Sequence, residues 1–195
     1  MRRRAGIATI LAAVMAMAAG AATADDRRPE VVIDVGHTLA VKGDPGGGGI
    51  ALGVSLLWRV EERFRIGVTA TADGLGERTG RLLGPGGVDL GPIAELHRVA
   101  QGAALRLEAH PGGEHRLDPY LAASWGLYRV RDDVRGAWLG SDDAAGLGLG
   151  AGVLRRFSDH HAAGLAVRGQ QLSRGGAGRY LAAALEWRWS MSAKD

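Results

Sequence analysis

The chain has 195 residues, contains no cysteine, and carries 24 Lys and Arg against 21 Asp and Glu. The absence of cysteine excludes disulfides, thiolate chemistry and a lipid-modified N-terminal cysteine. Three arginines at positions 2–4 precede an uncharged, alanine-rich run that ends in Ala22-Thr23-Ala24. This order of basic, apolar and small residues is typical of a cleaved secretory signal peptide. We therefore predict a signal peptide at residues 1–24 and a single domain at residues 25–195.

Cleavage of the predicted signal peptide changes the charge balance. It removes three arginines and no acidic residue, which leaves 21 basic and 21 acidic residues. A neutral chain lacks the excess positive charge with which proteins bind a phosphate backbone. We therefore expect no nucleic acid among the partners of this protein.

Beyond residue 24 the apolar residues recur with a period of two rather than the 3.6 of a helix. Ile50, Leu52 and Val54, for example, alternate with small or polar residues. Such alternation is typical of strands that have two different faces. Along the whole chain it predicts eight strands, near residues 30–41, 50–60, 63–73, 95–109, 115–131, 145–156, 161–172 and 179–190. Most have about the 9–11 residues that a tilted strand needs to cross a bilayer.

The predicted connections alternate in length along the chain. The tight turns are at residues 61–62, 110–114 and 157–160, and the longer connections are at 42–49, 74–94, 132–144 and 173–178. Bacterial transmembrane barrels show this asymmetry, with short periplasmic turns and longer outer loops. An even number of strands then places both termini in the periplasm. We therefore predict an all-β fold, an eight-stranded antiparallel up-and-down transmembrane β-barrel.

A soluble lipocalin-like barrel is the main structural alternative, because its strands also alternate. Such a barrel would turn its polar face to water. The polar face here consists mostly of Gly, Ala, Ser and Thr with a few charges. This composition suits the confined interior of a narrow barrel better than a water-facing surface.

Three stretches carry a family resemblance: "LDPYLAASWGLY" (117–128), "GLGLGAGVLRRFSDHHAAGLAVRG" (146–169) and "RYLAAALEWRW" (179–189). A Pro-Tyr strand, a Gly-rich strand with a tight turn and an aromatic-rich last strand, in this order, resemble the OmpA/OmpX-type outer-membrane β-barrels. The resemblance implies an outer-membrane location, with outer-membrane lipid and the barrel assembly machinery as partners. Members usually end on an aromatic residue of the last strand, whereas residues 190–195 follow Trp189 here.

Two groups of side chains are predicted to have defined places in this barrel. Because unpaired charges are costly in a narrow lumen, we expect acids and bases of the inner face to pair there. The predicted lumen charge network consists of Asp34, Arg59, Arg65, Arg106, Glu108, Arg168, Glu186 and Arg188. A structural network that plugs the lumen is the main interpretation, and a narrow ion or proton path is the alternative. The predicted membrane-interface aromatics are Trp58, Trp125, Tyr128, Trp187 and Trp189.

His37 raises the possibility of a metal site. The stretch "VVIDVGHT" (31–38) resembles the opening of the zinc-dependent N-acetylmuramoyl-alanine amidases, in which the histidine binds the metal. Zinc needs at least three convergent protein ligands, and neither H-E-x-x-H nor H-x-x-E-H occurs in the chain. We therefore predict no metal at His37. Alternation places it on the lipid-facing side, unless a bulge at Gly36 shifts the register.

Ser173 raises the possibility of lipid hydrolysis. The stretch "RGQQLSRGG" (168–176) lies where the lipid A deacylases carry a His-x-Ser-Asn element, with Ser173 at the nucleophile position. Gln171 replaces the histidine and Arg174 the asparagine, and an amide cannot accept the proton of the serine. We therefore predict no catalytic residue and no cofactor. The expected function is that of a small non-enzymatic outer-membrane barrel whose outer loops bind an unknown surface ligand or pack the membrane.

Overall fold

The protein is described by a computed structural model that covers residues 29–191 except 43–46, 84, 113–115, 135–136 and 174–177. The eight strands are β1 (Pro29–Lys42), β2 (Gly48–Glu61), β3 (Phe64–Leu83), β4 (Asp89–Ala109), β5 (Leu117–Val134), β6 (Ala137–Arg156), β7 (His161–Leu172) and β8 (Arg179–Ser190). A short 3-10 turn at Pro85–Gly87 lies between β3 and β4. Within the described residues, no helix has the length and apolar character needed to span a bilayer.

The strands close into one barrel. Each strand pairs antiparallel with the next, and β8 pairs with β1. The closing pair runs from Glu30 opposite Ser190 to Lys42 opposite Arg179. The Met191 N–H then donates to the Pro29 carbonyl at 3.0 Å. Backbone pairing therefore continues along the seam apart from the irregularity between Ala40 and Lys42, as the closure of a barrel requires. The predicted eight-stranded up-and-down β-barrel is confirmed.

The two ends of the barrel differ. Both described termini and the connections β2–β3, β4–β5 and β6–β7 lie at one end, which we name the terminal end. The other four connections lie at the opposite end, the loop end. At the loop end β3 pairs with β4 as far as Leu83 opposite Asp89, and β5 pairs with β6 as far as Val134 opposite Ala137. The sheet β3–β6 therefore extends beyond the rim that the shorter strands β7, β8, β1 and β2 form.

This extension corrects two predicted loops. Residues 74–94 and 132–144 were expected to be loops, but most of them continue the strands. The pairing of β3 with β4 shifts register between Gly74 and Gly76 and twice more beyond, and Gly76 has a φ of 104°. A β-bulge interrupts the alternation of a strand's residues between its two faces. The period-two pattern is therefore lost from the sequence although the backbone pairing continues.

The outer face of the barrel carries an apolar belt. On β5 the outward side chains from Leu117 to Leu127 are apolar and mostly exposed. The belt ends towards the loop end at the ion pair of Arg129 with Asp143, and towards the terminal end beside Arg155. Ten residue steps along a tilted strand give a height of about 25 Å, which is the height of the apolar band in outer-membrane barrels. The belt can therefore face hydrocarbon.

His37 lies on this outer face. The pairing of β1 with β8 continues without a shift from Val35 through Gly36 to His37, and the irregularity lies further on, between Ala40 and Lys42. The predicted alternative of a bulge at Gly36 is therefore wrong. The ring lies over Gly48, since a Cβ added at residue 48 would stand 2.5 Å from His37 Nε2. The segment belongs to an antiparallel barrel, not to the α/β sheet that the amidase interpretation requires.

Close approach of the backbones generates a prediction for Gly67. A Cβ at this inward position would stand 1.9 Å from the carbonyl oxygen of Leu56, whereas a Cβ at Gly140 would have no heavy atom within 4 Å. Gly67→Ala must displace a strand and should lower the free energy of unfolding by about 1–3 kcal/mol. Gly140→Ala is the matched control and should change it by less than about 0.5 kcal/mol. Urea unfolding in detergent micelles measures both, and equal values would show that the barrel accommodates the methyl group at Gly67.

Candidate functional site

The lumen contains an ion network that is densest near the terminal end. Arg188 on β8 is 3% exposed and donates two hydrogen bonds to Glu108 on β4, at 2.7 and 3.1 Å. Its Nε donates to Glu186 on the same strand. The guanidinium also lies over the ring of Tyr120, 4.6 Å from the centroid. A buried arginine with two carboxylates and an aromatic face has the partners that its charge and donors require.

Arg106 is the second buried cation of this network. Its Nη2 lies 2.6 Å from Glu108 Oε1 and 3.5 Å from Glu186 Oε2. Its Nη1 donates to the Ser55 hydroxyl at 3.1 Å and lies 3.6 Å from a carboxylate oxygen of Asp34. Arg106 and Arg188 therefore share the same two glutamates, and the four side chains form one unit rather than separate pairs.

Glu30 connects the network to the rim of the terminal end. Its carboxylate accepts a hydrogen bond from Arg65 Nε at 3.0 Å and lies 3.6 Å from Arg188 Nη1. Arg59 lies 3.8 Å from the same carboxylate, and 38% of its side chain is exposed. The network thus becomes more solvated from Arg188 outwards to Arg59.

A buried histidine lies beside the same unit. His110 Nδ1 is 2.8 Å from Asp118 Oδ1, and Nε2 is 3.2 Å from Glu108 Oε2. The ring stacks on Tyr120 at a centroid distance of 5.5 Å. Asp118 also accepts a hydrogen bond from Arg156 at 3.1 Å. Both ring nitrogens of His110 are therefore occupied by carboxylates, and neither faces a hydroxyl that it could activate.

The lumen towards the loop end contains a smaller polar group and an apolar cluster. Asp73 accepts hydrogen bonds from Arg168 and, at 2.9 Å, from the Tyr180 hydroxyl. Beyond it the buried side chains of Leu75, Val130 and Leu172 belong to one hydrophobic cluster. Between this group and the ion network lies a cavity of about 50 Å³. A volume of this size holds only one or two water molecules.

The eight charges predicted for the lumen all lie on the inner face. Six are buried, and the side chains of Arg59 and Arg168 are partly exposed. Sequence reasoning missed five further members, namely Glu30, Asp73, His110, Asp118 and Arg156. Glu30 and Asp73 share the alternation of Asp34 and Arg65, so the period-two pattern could have found them. The other three lie at strand ends beside turns, where the alternation does not predict which face of the sheet a side chain occupies.

The predicted interface aromatics divide between two environments. Trp125, Trp187 and Trp189 face outwards and are about half exposed, and Trp58 is half-buried on the outward side of β2. Tyr128 was predicted at the membrane interface, and this prediction is wrong. It is 4% exposed and belongs to the inner hydrophobic cluster, because it is three residues from Trp125 and so points to the opposite face of β5.

The structure separates the groups that a deacylase site would need. Ser173 follows β7 at the loop end and is exposed, and its hydroxyl accepts a hydrogen bond from the Ala145 N–H at 3.2 Å. His160 and His161 lie at the other end of β7. A 12-residue strand spans about 40 Å, so neither histidine can reach the serine. In the described part of the chain, no group of three or more His, Cys, Asp or Glu side chains could hold a metal ion.

Comparison with solved structures agrees with this architecture. Neisserial surface protein A has a TM-score of 0.65 and 16% identity, and the match covers 84% of this chain and 97% of that one. The N-terminal β-barrel of Pseudomonas aeruginosa OprF gives a TM-score of 0.55 and 14% identity, with the same coverage. Ail of *Yersinia pestis*, in complex with the heparin analogue sucrose octasulfate, gives 0.51 and 9%, again with 84% and 97% covered. No protein-family model and no curated protein sequence matches the chain significantly.

This protein has the OmpA/OmpX-type fold. The neighbours are small outer-membrane barrels, and at these identities the likeness establishes the fold alone. The features from which a function can be argued must therefore be taken from this chain's own residues. They are the ion network of the lumen and the extended sheet β3–β6.

The contrast between a buried and an exposed ion pair generates a second prediction. Arg188 with Glu108 and Arg129 with Asp143 are both bidentate, at 2.7 and 3.1 Å and at 2.7 and 3.2 Å. Only the first pair is buried. Arg188→Ala removes one of the two buried cations that Glu108 and Glu186 share, and should cost about 3–5 kcal/mol of unfolding free energy. Arg129→Ala should cost at most about 1 kcal/mol.

Urea unfolding of the two variants in the same detergent tests this prediction. The electrophoretic mobility of unboiled samples first shows whether each variant forms a closed barrel. Similar losses for Arg188→Ala and Arg129→Ala would contradict the view that the lumen pair is desolvated.

Proposed function

We propose that this protein is a non-enzymatic outer-membrane barrel whose lumen is closed to solutes and whose loop-end sheet is an interaction surface. The buried ion network across the lumen is the observation that carries the proposal. An eight-stranded barrel is just wide enough for its own side chains, and here those side chains are linked charges. A function that depends on transport or on an internal active site has no space in it.

The arrangement of the ion network supports closure. A solute passing from one end to the other would have to separate Arg188 and Arg106 from the glutamates that they share. Breaking one buried pair without replacement costs about 3–5 kcal/mol, and these pairs share partners. At the loop end the solute would meet the apolar cluster of Leu75, Val130 and Leu172. Both barriers oppose an ion path, which was the alternative interpretation of the lumen charges.

The extended sheet supports an interaction role. Beyond Asp73, which pairs with Ala51 of β2, the strand β3 continues to Leu83, and among the described residues β4 is the one strand that pairs with it there. On the other side, the pairing of β6 with β7 begins at Gly146, so β6 extends beyond β7 towards Ala137. The outermost strands of such a sheet are where another strand can add.

The lengths of the connections support an orientation. Outer-membrane barrels have short turns on the periplasmic side and longer elements outside. The terminal end has the short turns, and the loop end carries the extended sheet. We therefore place both termini in the periplasm, with outer-membrane lipid around the belt and the barrel assembly machinery as the insertion partner.

A conductance measurement tests the closed lumen. The purified full chain, refolded in detergent and added to planar bilayers, should give no stepwise current above the baseline. Arg188→Ala should, if it still inserts, remain non-conducting because the Leu75 cluster closes the loop end independently. Regular single-channel steps from the wild-type chain would refute the closed barrel.

Epitope tags test the orientation and the interaction surface. A tag inserted at Gly86, in the turn between β3 and β4, should be accessible to antibody on intact cells. The matched tag at Asp159, in the turn between β6 and β7, should be accessible only after the outer membrane is opened. The opposite pattern would overturn the proposed orientation, and loss of both signals from the membrane fraction would overturn the proposed location.

A further inference from the structure

The outer face of the barrel is not uniformly covered by side chains. A furrow with a volume of about 830 Å³ crosses it from β3 to β8 and β1. Leu105, Trp125 and Leu147 form one wall, and Leu107 and Leu149 form the other. This volume is within the range of about 300–1,000 Å³ that is usual for small-molecule sites. The furrow is therefore large enough to hold part of a lipid.

The register of the strands explains the course of the furrow. Leu105 lies opposite Trp125, Trp125 opposite Leu147, and Leu147 opposite Gln171, so that one wall follows a single row of paired residues. The row continues from Gln171 to Arg179, the first residue of β8. Because barrel strands are tilted, such a row climbs towards one end. It begins near the terminal end at β3 and reaches the loop end at Arg179.

Small residues open the second wall of the furrow. Ala123 and Gly169 occupy outward positions between the large side chains of Leu107, Leu149 and Leu181. A Cβ added at Gly169 would stand 3.4 Å from Leu181 Cδ2 and 3.9 Å from the Leu149 carbonyl oxygen. The backbone there would tolerate a side chain, so the space at Gly169 belongs to the furrow and is not required for strand pairing.

The loop end of the furrow is polar. Arg179 and Gln171 line it there, and both side chains are exposed. Arg179 forms no ion pair with any described residue. A guanidinium presents donors that match phosphate oxygens, and the amide of Gln171 adds a donor and an acceptor. The furrow thus joins an apolar channel to an anion-binding end at the level where lipid headgroups begin.

We infer that this furrow binds one molecule of lipid A, with a phosphate on Arg179, a sugar polar group on Gln171 and an acyl chain along Trp125 and Leu147. The choice of lipid A over a glycerophospholipid rests on the proposed function, which places the loop end in the outer leaflet. A phosphorylated sugar headgroup supplies the anion and the hydrogen-bonding groups together, whereas phosphatidylcholine supplies a headgroup without net charge.

Native mass spectrometry of the full chain in detergent micelles tests the inference, with lipid A, phosphatidylglycerol and phosphatidylcholine offered in turn. Wild-type protein should retain one lipid A and discriminate against both phospholipids. Arg179→Gln should weaken lipid A retention about fivefold, as expected for one partly exposed ion pair. Gly169→Leu, which fills the furrow, should weaken retention of lipid A by a similar factor.

Two control variants make the result specific. Arg155→Gln removes an exposed arginine at the terminal end, and Ala70→Leu enlarges an outward residue of β3 outside the furrow. Both should bind lipid A like the wild type. Unchanged binding in Arg179→Gln and Gly169→Leu would overturn the site, and equal retention of phosphatidylglycerol would overturn the assignment to lipid A. Lipid binding is measured in micelles and does not depend on the orientation in the cell. A negative result can therefore contradict the lipid A site while the tag and conductance experiments support the proposed function, and those experiments can contradict the proposed function while lipid A still binds.

Discussion

Ion pairs that cross the lumen are the interaction on which the rest of the structure depends. Arg188 and Glu186 belong to β8, whereas Glu108 and Arg106 belong to β4. These strands are on opposite sides of the closed barrel, because three strands lie between them in either direction round the ring. The bonds of 2.7 and 3.1 Å from Arg188 to Glu108 therefore connect the two sides of the wall directly. A wider or differently staggered barrel could not form them.

The cross-lumen pairs determine what the inside of the barrel can do. Desolvated charges are tolerated only when each has a partner with good geometry, and here Glu108 has Arg188, Arg106 and His110 around it. Such a carboxylate has no free oxygen lone pair directed at a substrate. The same packing that stabilises the narrow barrel thus supports the proposal that the lumen is closed. The outer belt and the extended sheet are the two surfaces on which the proposals for function rest.

The sequence predicted the fold well because the constraint that forms a barrel is periodic. Alternation located all eight strands, and the last two, 161–172 and 179–190, have the observed bounds.

The prediction from alternation failed where the period of the sequence changes. The bulges after Gly74 hid the extension of β3, and Tyr128 was assigned by residue type although its position three residues after Trp125 places it inside. His110 and Asp118 lie beside a turn, where no periodic pattern predicts whether a side chain points into the lumen or out of it. The ion network could be predicted as a set of inward charges, but not as a set of partners, because pairing depends on the stagger between distant strands.

That stagger also gives the outer face its asymmetry. The register that brings β4 and β8 into line across the lumen makes each row of outward side chains climb round the barrel. Leu105 near the terminal end is therefore joined, through Trp125 and Leu147, to Arg179 at the loop end. A row without stagger would stay at one depth in the bilayer and could meet only acyl chains or only headgroups. The climbing row reaches from the apolar belt to Arg179, so the stagger that aligns β4 with β8 across the lumen also underlies the proposed lipid A site.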